Sequence, residues 1–188
     1  GMFGMALAVV ATFVVVASLS HGTIAMSPAY ALILGAMVLG AAIGIFRAKT
    51  VPMTQMPETV ALMHSLVGLA AVLIAIAAVL NPSSHHDSIH RFELFVGCFV
   101  GAITFTASVF AYGKLAAKKW AKSLKGGWVK PVQALLALGM LGFGAAYFAT
   151  ESVEYFYVMT GFALVLGYLW IGPIGGGDMP VVVSLLNS

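Results

Sequence analysis

A single histidine lies inside an apolar segment, where a side chain that gains and loses protons is unusual. His64 stands in the decapeptide Met56–Ser65, about two helical turns beyond Pro57. An imidazole in hydrocarbon is costly unless it is paired, and ionisable residues inside membrane segments often mark proton or ion paths. Histidine also changes its charge near neutral pH. The residue therefore predicts a proton carrier. The alternative is a neutral histidine that joins two helices through a hydrogen bond.

The stretch Met179–Ser188 repeats this decapeptide. Aligned without gaps, the two copies share methionine, proline, valine, leucine and serine, and Asn187 takes the place of His64. Similar apolar stretches, 36–40 and 163–167, precede the two copies. Because an even number of predicted helices separates them, the pattern indicates a parallel repeat, and chance similarity among apolar segments is the alternative. Asparagine cannot titrate, but it could hydrogen-bond a histidine or water, or simply join helices.

Three of the carboxylates at the ends of apolar segments are candidates for a proton path or a helix cap. Asp178 precedes the second Met-Pro pair, where it could cap a helix or gate the inner mouth of a path. Glu58 follows Pro57 in a first helical turn, where the helix dipole favours a carboxylate. Glu93 lies near the outer end of its segment, as an outer proton port or an ordinary interfacial charge.

Three hydroxyl residues, Thr104, Thr106 and Ser108, lie within one apolar segment. Thr104 and Ser108 are four residues apart and therefore share a helix face. Such hydroxyls could line a chain of water molecules or bond back to their own helix carbonyls. The sequence leaves both interpretations open.

Other patterns carry less chemistry. His85, His86, Asp87 and His90 resemble a metal cluster in composition, but no cysteine supports them and a solvated loop is favoured. The single cysteine, Cys98, lies in an apolar run, so no intramolecular disulfide can form. The sequence contains no phosphate-binding loop and no dinucleotide fingerprint, so hydride or phosphate chemistry must occur outside these residues.

Membrane helices must position these residues, because the composition excludes a soluble domain. The chain has 188 residues, of which 61% are hydrophobic and 8% charged, against about 25% charged in soluble domains. No barrel-like alternation is present, and open strands cannot cross a bilayer. We predict an all-α, polytopic transmembrane helical bundle with six complete spans plus the start of a seventh at Pro180. The six spans are 3–20, 29–46, 57–80, 92–113, 131–149 and 153–172.

Basic residues occur in alternate loops. The loops 47–56 and 114–130 hold nearly all of them, whereas the loops 20–28, 81–91 and 150–154 hold one arginine between them. The positive-inside rule places the two basic loops, the N-terminus and the glycine-rich turn before Met179 in the cytoplasm. The net charge of +3 is therefore a topology signal and not a nucleic-acid footprint. Both decapeptides then run outward, and at 1.5 Å per residue His64 and Asn187 lie at similar depth.

Four stretches of the chain resemble the beta subunit of proton-translocating NAD(P) transhydrogenase. They are Met53–Gly68, Gly101–Ser108, Tyr112–Leu115 and Gly176–Ser188, of which the last is highly specific. The resemblance covers nearly the whole chain. It implies the membrane domain of that subunit, which conducts protons in step with hydride transfer between NADH and NADP(+) in soluble domains.

The resemblance also implies roles for individual residues. It matches His64 to the membrane histidine that carries the proton and Asn187 to its partner asparagine. The remaining proton-path residues would be Asp178 at the cytoplasmic end, Ser108 within the path and Glu93 near the outer face. This chain would hold no cofactor and no metal, because NADP(H) and NAD(H) would bind to soluble domains of the full enzyme.

The chain departs from the family pattern in places. Gln55 stands where glutamate is expected, and Ala107 where glycine is usual. The resemblance also implies a helix before Gly1, and further helices and an NADP-binding domain after Ser188, that we expect to lie outside this sequence. We therefore expect residues 1–188 to form one transmembrane, proton-translocating domain, truncated at both ends and without a soluble domain.

The resemblance implies partners and a location as well. We expect the alpha subunit, the NADP(H)-binding domain, a dimer of protomers and membrane lipid as partners, and no nucleic acid. The expected location is the bacterial inner membrane, with a cytoplasmic N-terminus. Two alternatives remain. One is a passive membrane anchor in which the two polar residues only join helices, and the other is an unrelated secondary transporter.

Overall fold

Helices make up all the regular structure in the computed structural model, which describes residues 7, 9–14, 28–80 and 88–186. No strand occurs within these ranges, which confirms the predicted all-α class. The main helices are α1 (Pro28–Thr50), α2 (Met56–Val79), α3 (Ser88–Leu115), α4 (Val129–Thr150), α5 (Val153–Ile171) and α6 (Met179–Leu186). Two 3₁₀ turns, Met53–Gln55 and Gly176–Asp178, precede α2 and α6.

Within the described residues, five helices are long and apolar enough to cross a membrane, namely α1 to α5. They correspond to five of the six predicted spans. The first predicted span, 3–20, lies mostly outside the described residues, and α6 is described for only eight residues. The structure therefore supports a polytopic membrane protein without fixing the number of spans at six plus a seventh.

The chain divides into two compact units, 1–51 and 52–188. The first contains α1, which ends with Arg47 and Lys49 in its last turn. Cations there are favoured by the carbonyl end of the helix dipole. This explains why the helix runs past the predicted end at residue 46.

In the second unit α3 is the central helix. It packs along α2 on one side and α5 on the other, α4 packs on α5, and α6 lies against α3 and α2. At the α2–α3 crossing, a methyl group added at Gly68 would lie 2.7 Å from the carbonyl oxygen of Gly101. Glycines thus let the two backbones touch, as small residues do between membrane helices.

Two buried clusters lie along this unit. The first joins α2, α3, α4 and α5 and includes Cys98, Tyr147 and Phe156. We call it the outer cluster, and the second the inner cluster, after the sides of the membrane that the positive-inside rule predicts for them. The inner cluster is Ala61, Ala107, Phe110, Ala111, Ala121, Ile171, Met179 and Val183. The beginnings of α2 and α6 and the ends of α3 and α5 therefore meet at one end of the bundle.

Candidate functional site

The two Met-Pro stretches begin their helices in the same way. Pro52, at φ −68° and ψ 153°, precedes the first 3₁₀ turn. Gly175, at φ −70° and ψ 157°, precedes the second. Met56 and Met179 then both adopt helical angles, and each donates its backbone N–H to the first carbonyl of its 3₁₀ turn. The two sequence copies thus begin with the same backbone geometry, as a repeat would, and the choice between a repeat and chance similarity stays a prediction.

The inner cluster holds the two copies side by side. Ala61 of α2 and Val183 of α6 belong to it, as does Met179, which is fully buried. His64 follows Ala61 by three residues. Asn187 follows Val183 by four residues but lies outside the described residues, so its predicted pairing with His64 stays a prediction.

His64 lies on the face of α2 that is turned toward α3. Ala61, His64, Ser65 and Gly68 follow the i, i+3, i+4, i+7 spacing of one helix face, and Ala61, Ser65 and Gly68 are buried. His64 itself is half-buried, and its Nδ1 lies 3.1 Å from the carbonyl oxygen of Val60. A carbonyl can only accept, so Nδ1 donates the proton in this bond. In the neutral ring, Nε2 is then the atom that is able to take up a proton.

Ser108 lies on the facing surface of α3. It is seven residues, about two turns, from Gly101, and so shares its face. Its side chain is 1% exposed, and its hydroxyl has no hydrogen-bond partner among the described residues. Unpaired buried hydroxyls are uncommon and costly, which marks this position as one where a polar partner belongs.

The neighbouring threonines behave differently. Thr106 donates to the carbonyl of Ala102 at 3.1 Å and packs against Gly167 of α5. This hydroxyl therefore bonds back to its own helix, which was one of the two predicted alternatives. Thr104 lines an apolar groove between α2 and α3.

Asp178 ends the second 3₁₀ turn and is exposed. Within the described residues its carboxylate forms no hydrogen bond to the start of α6, so the predicted capping bond is not observed. Glu58 lies in the first turn of α2, after the proline, as predicted.

Lys114 is a buried residue that the sequence analysis did not single out. Its ammonium group donates to the carbonyl of Ile171 at 2.8 Å, to that of Gly172 at 2.7 Å and to that of Ile174. The side chain is 8% exposed. Its three donors thus satisfy carbonyls at the end of α5, where the helix dipole also favours a cation. Because these partners lie 57 to 60 residues away, only the fold reveals them.

The loop 116–128 closes over the same turn. The backbone N–H of Leu124 donates to the carbonyl of Gly172 at 2.8 Å. The hydroxyl of Ser123 donates to the carbonyl of Ile174 at 3.3 Å. Together with Lys114, these bonds fix the turn that leads to Asp178 and α6.

Glu93 lies at the opposite end of the bundle. Its side chain is exposed, and its Oε2 lies 3.7 Å from Nδ1 of His90 on the same helix. Nearby, Arg91 pairs with Glu151 at 2.9 Å and donates to the carbonyl of Phe148 at 3.0 Å. Glu93 thus lies near the start of α3, whereas the inner cluster contacts the end of that helix, and both predicted roles remain open.

Two further predictions concern cysteine and histidine chemistry. Cys98 is a free, buried cysteine, and its Sγ lies 3.2 Å from the hydroxyl of Thr160 on α5. It therefore joins α3 to α5. Of the histidine-rich stretch, 85–87 lies outside the described residues, and only His90 is described.

Comparison with known proteins identifies a protein family that matches the chain. The family model described as NAD(P) transhydrogenase beta subunit matches residues 1–188. Two curated relatives, both named NAD(P) transhydrogenase subunit beta and both from Rhodospirillum rubrum, are each 41% identical over an alignment of 198 positions. The alignments cover all of this chain and 40% of each relative.

Proposed function

Because the chain belongs to the family of NAD(P) transhydrogenase beta subunits, we propose that it conducts protons across a membrane as part of that enzyme. Conduction would be coupled to hydride transfer between NADH and NADP(+). The chain spans 40% of the length of its curated relatives. We place the hydride transfer, and the binding of NADP(H) and NAD(H), in soluble domains outside these residues.

One observation carries the proposal, namely the orientation of His64. Its Nδ1 proton is committed to the carbonyl of Val60. Proton uptake would therefore occur at Nε2, and release would restore the same neutral tautomer. A fixed tautomer gives the relay one defined entry atom, because the hydrogen bond of one ring nitrogen sets the role of the other.

The other predicted residues complete a path on this proposal. Ser108 supplies a buried hydroxyl whose hydrogen-bonding capacity is unused among the described residues. Asn187, four residues beyond buried Val183, would position water or the imidazole. Asp178 would connect protonation to the NADP(H)-binding domain at the inner end, and Glu93 would serve the outer end.

The wider setting belongs to the same proposal. The alpha subunit and the NADP(H)-binding domain would be partners, and two protomers would form a dimer in the lipid bilayer. The location would be the bacterial inner membrane. The lysine-rich loop, the N-terminus and the start of α2 would face the cytoplasm, as the positive-inside rule predicts.

Of the two alternatives, the passive anchor needs His64 to join helices. Among the described residues, its hydrogen bond stays within its own helix. An unrelated transporter is inconsistent with a family model that matches the whole chain.

The test is His64→Ala in the complete enzyme, assayed for proton pumping in proteoliposomes. We expect proton-coupled turnover to fall by at least about a hundredfold, the usual contribution of a proton-transferring group. Binding of NADP(H) should be retained, because that domain lies elsewhere in the enzyme.

Met63→Ala is the matched control, because Met63 is adjacent on the same helix and is 58% exposed. It should leave pumping unchanged. Near-normal pumping by His64→Ala would overturn the proposal, as would an equal loss in Met63→Ala.

A further inference from the structure

A basic pocket lies where α3 passes into the loop 116–128. Its volume is about 410 Å³. Four lysines line it together with Ser123 and Gly176, and we call it the lysine pocket: Lys114, Lys118, Lys119 and Lys122.

The positive charge of the lysine pocket is not neutralised within the described residues. The two ion pairs found among the described residues, His90 with Glu93 and Arg91 with Glu151, do not involve a lysine. Lys114 is buried, and its ammonium group donates all three of its hydrogen bonds to backbone carbonyls. It therefore adds positive charge beneath the pocket but has no donor left for a ligand. Lys118, Lys119 and Lys122 are exposed, and their ammonium groups are available to an anion. Asp178, the nearest acidic residue along the chain from Gly176, does not line the pocket.

The pocket also lies at the end of a membrane-spanning helix. Lys114 is in the last turn of α3, one of the five candidate spans. Two tryptophans of the loop are half-exposed, Trp120 at 54% and Trp128 at 52%. The Trp120 ring packs 5.9 Å from that of Phe110. Tryptophans are enriched at membrane–water interfaces, and basic pockets beside membrane helices attract anionic lipid headgroups.

We propose that the lysine pocket binds the phosphate group of an anionic phospholipid. The three exposed ammonium groups would donate to phosphate oxygens in charge-assisted hydrogen bonds. The tryptophan rings would lie beside the glycerol and upper acyl carbons of the same lipid. The inference rests on membrane location and on the uncompensated lysines, and does not depend on hydride transfer or proton conduction.

The test uses the complete natural protein that carries this chain, delipidated in detergent. Bound phosphatidylglycerol is titrated by native mass spectrometry, with phosphatidylcholine and inorganic phosphate as separate arms. Each lysine near an anionic membrane surface contributes about 1 kcal/mol, so Lys118→Gln/Lys122→Gln should weaken phosphatidylglycerol binding by about 25-fold. The matched control, Lys125→Gln/Lys130→Gln, removes the same charge outside the pocket and should weaken binding by less than about threefold.

Several results would overturn the inference. They are equal losses in the two double variants, equal binding of phosphatidylcholine, and displacement of the lipid by an equal concentration of inorganic phosphate. The last would assign the pocket to a free phosphate. Unchanged lipid binding, with loss of a soluble protein domain from the lysine variants, would assign it to a protein partner. Thermal unfolding of both variants should match the parent, because the substituted side chains are exposed.

Discussion

At the scale of single residues, the two most informative side chains are those of Ser108 and Lys114. Ser108 is buried with no hydrogen bond among the described residues, whereas Lys114 uses every donor it has. The first arrangement leaves chemical capacity unused, as a path for protons requires. The second leaves no hydrogen-bond donor unused, as expected of a side chain whose role is to stabilise the fold. The two residues should therefore respond to substitution in opposite ways.

Ser108→Ala should separate conduction from stability. Removing a buried hydroxyl that has no partner breaks no hydrogen bond and relieves its desolvation penalty, so the free energy of unfolding should not fall and should rise by up to about 1 kcal/mol. Proton-coupled turnover should fall about five- to tenfold, the effect of one hydrogen bond worth about 1 kcal/mol. Pumping assays and unfolding in mixed micelles measure the two effects.

Ser65→Ala is the control for that variant. Ser65 is also buried, but its hydroxyl donates to the carbonyl of Leu62 at 2.6 Å, so its hydrogen bonding is already satisfied locally. Its removal should leave turnover unchanged. If both serine variants slow pumping equally, Ser108 has no special place in the path.

Lys114→Met should instead lower stability. It removes three charge-assisted hydrogen bonds to the carbonyls of Ile171, Gly172 and Ile174, each of which keeps one other donor. The expected cost is about 2–4 kcal/mol in the free energy of unfolding. Lys122→Met, in the exposed part of the same loop, should cost less than about 0.5 kcal/mol. Equal stability of the two variants, measured by denaturant titration in micelles, would show that the three bonds contribute nothing.

At the scale of elements, the helix ends explain both what the sequence predicted and what it missed. The Met-Pro starts of α2 and α6 were predictable because proline favours a first turn. The ends of α3 were not. The predicted span 92–113 stops before charged residues, but α3 runs from Ser88 to Leu115. Arg91 and Lys114 remain helical because α4 and the turn after α5 supply their partners, and no local pattern contains those partners.

The end of α3 also predicts a stabilising substitution. Ala117 has φ 49°. Its backbone N–H donates to the backbone carbonyl of Lys114, and the backbone N–H of Lys118 donates to the backbone carbonyl of Gly113. These bonds form a Schellman motif, whose left-handed position strongly favours glycine. Ala117→Gly should therefore raise the free energy of unfolding by about 0.5–1 kcal/mol.

The neighbouring alanine tests that explanation. The N–H of Ala116 still donates to Tyr112, four residues back, so the backbone there is helical. Ala116→Gly should lower the free energy of unfolding, by up to about 1 kcal/mol. The same sign of change at both positions would contradict the assignment of the motif.

At the scale of the whole molecule, the sequence predicted class and family better than it predicted contacts. Composition was sufficient for a helical membrane protein, and family motifs were sufficient for the family, because both depend on local residue types. The position of Lys114 beside the α5–α6 turn, and of Cys98 beside Thr160, depends on packing across 57 or more residues. The pairing of His64 with Asn187 stays a prediction, since Asn187 lies outside the described residues.

The orientation of the molecule in the membrane can be tested with cysteines. Cys98 is buried with no exposed surface, so the native thiol gives little background once cysteines elsewhere in the complete protein are replaced by serine. Lys125 and Glu154 are exposed at opposite ends of the second unit, in the loop after α3 and in the first turn of α5. If the lysine-rich loop is cytoplasmic, a membrane-impermeant maleimide added outside intact cells should label Glu154→Cys but not Lys125→Cys. Everted vesicles should give the reverse result. Labelling of Lys125→Cys in intact cells would invert the topology and place the start of α2, and with it the inner approach to His64, on the outer face.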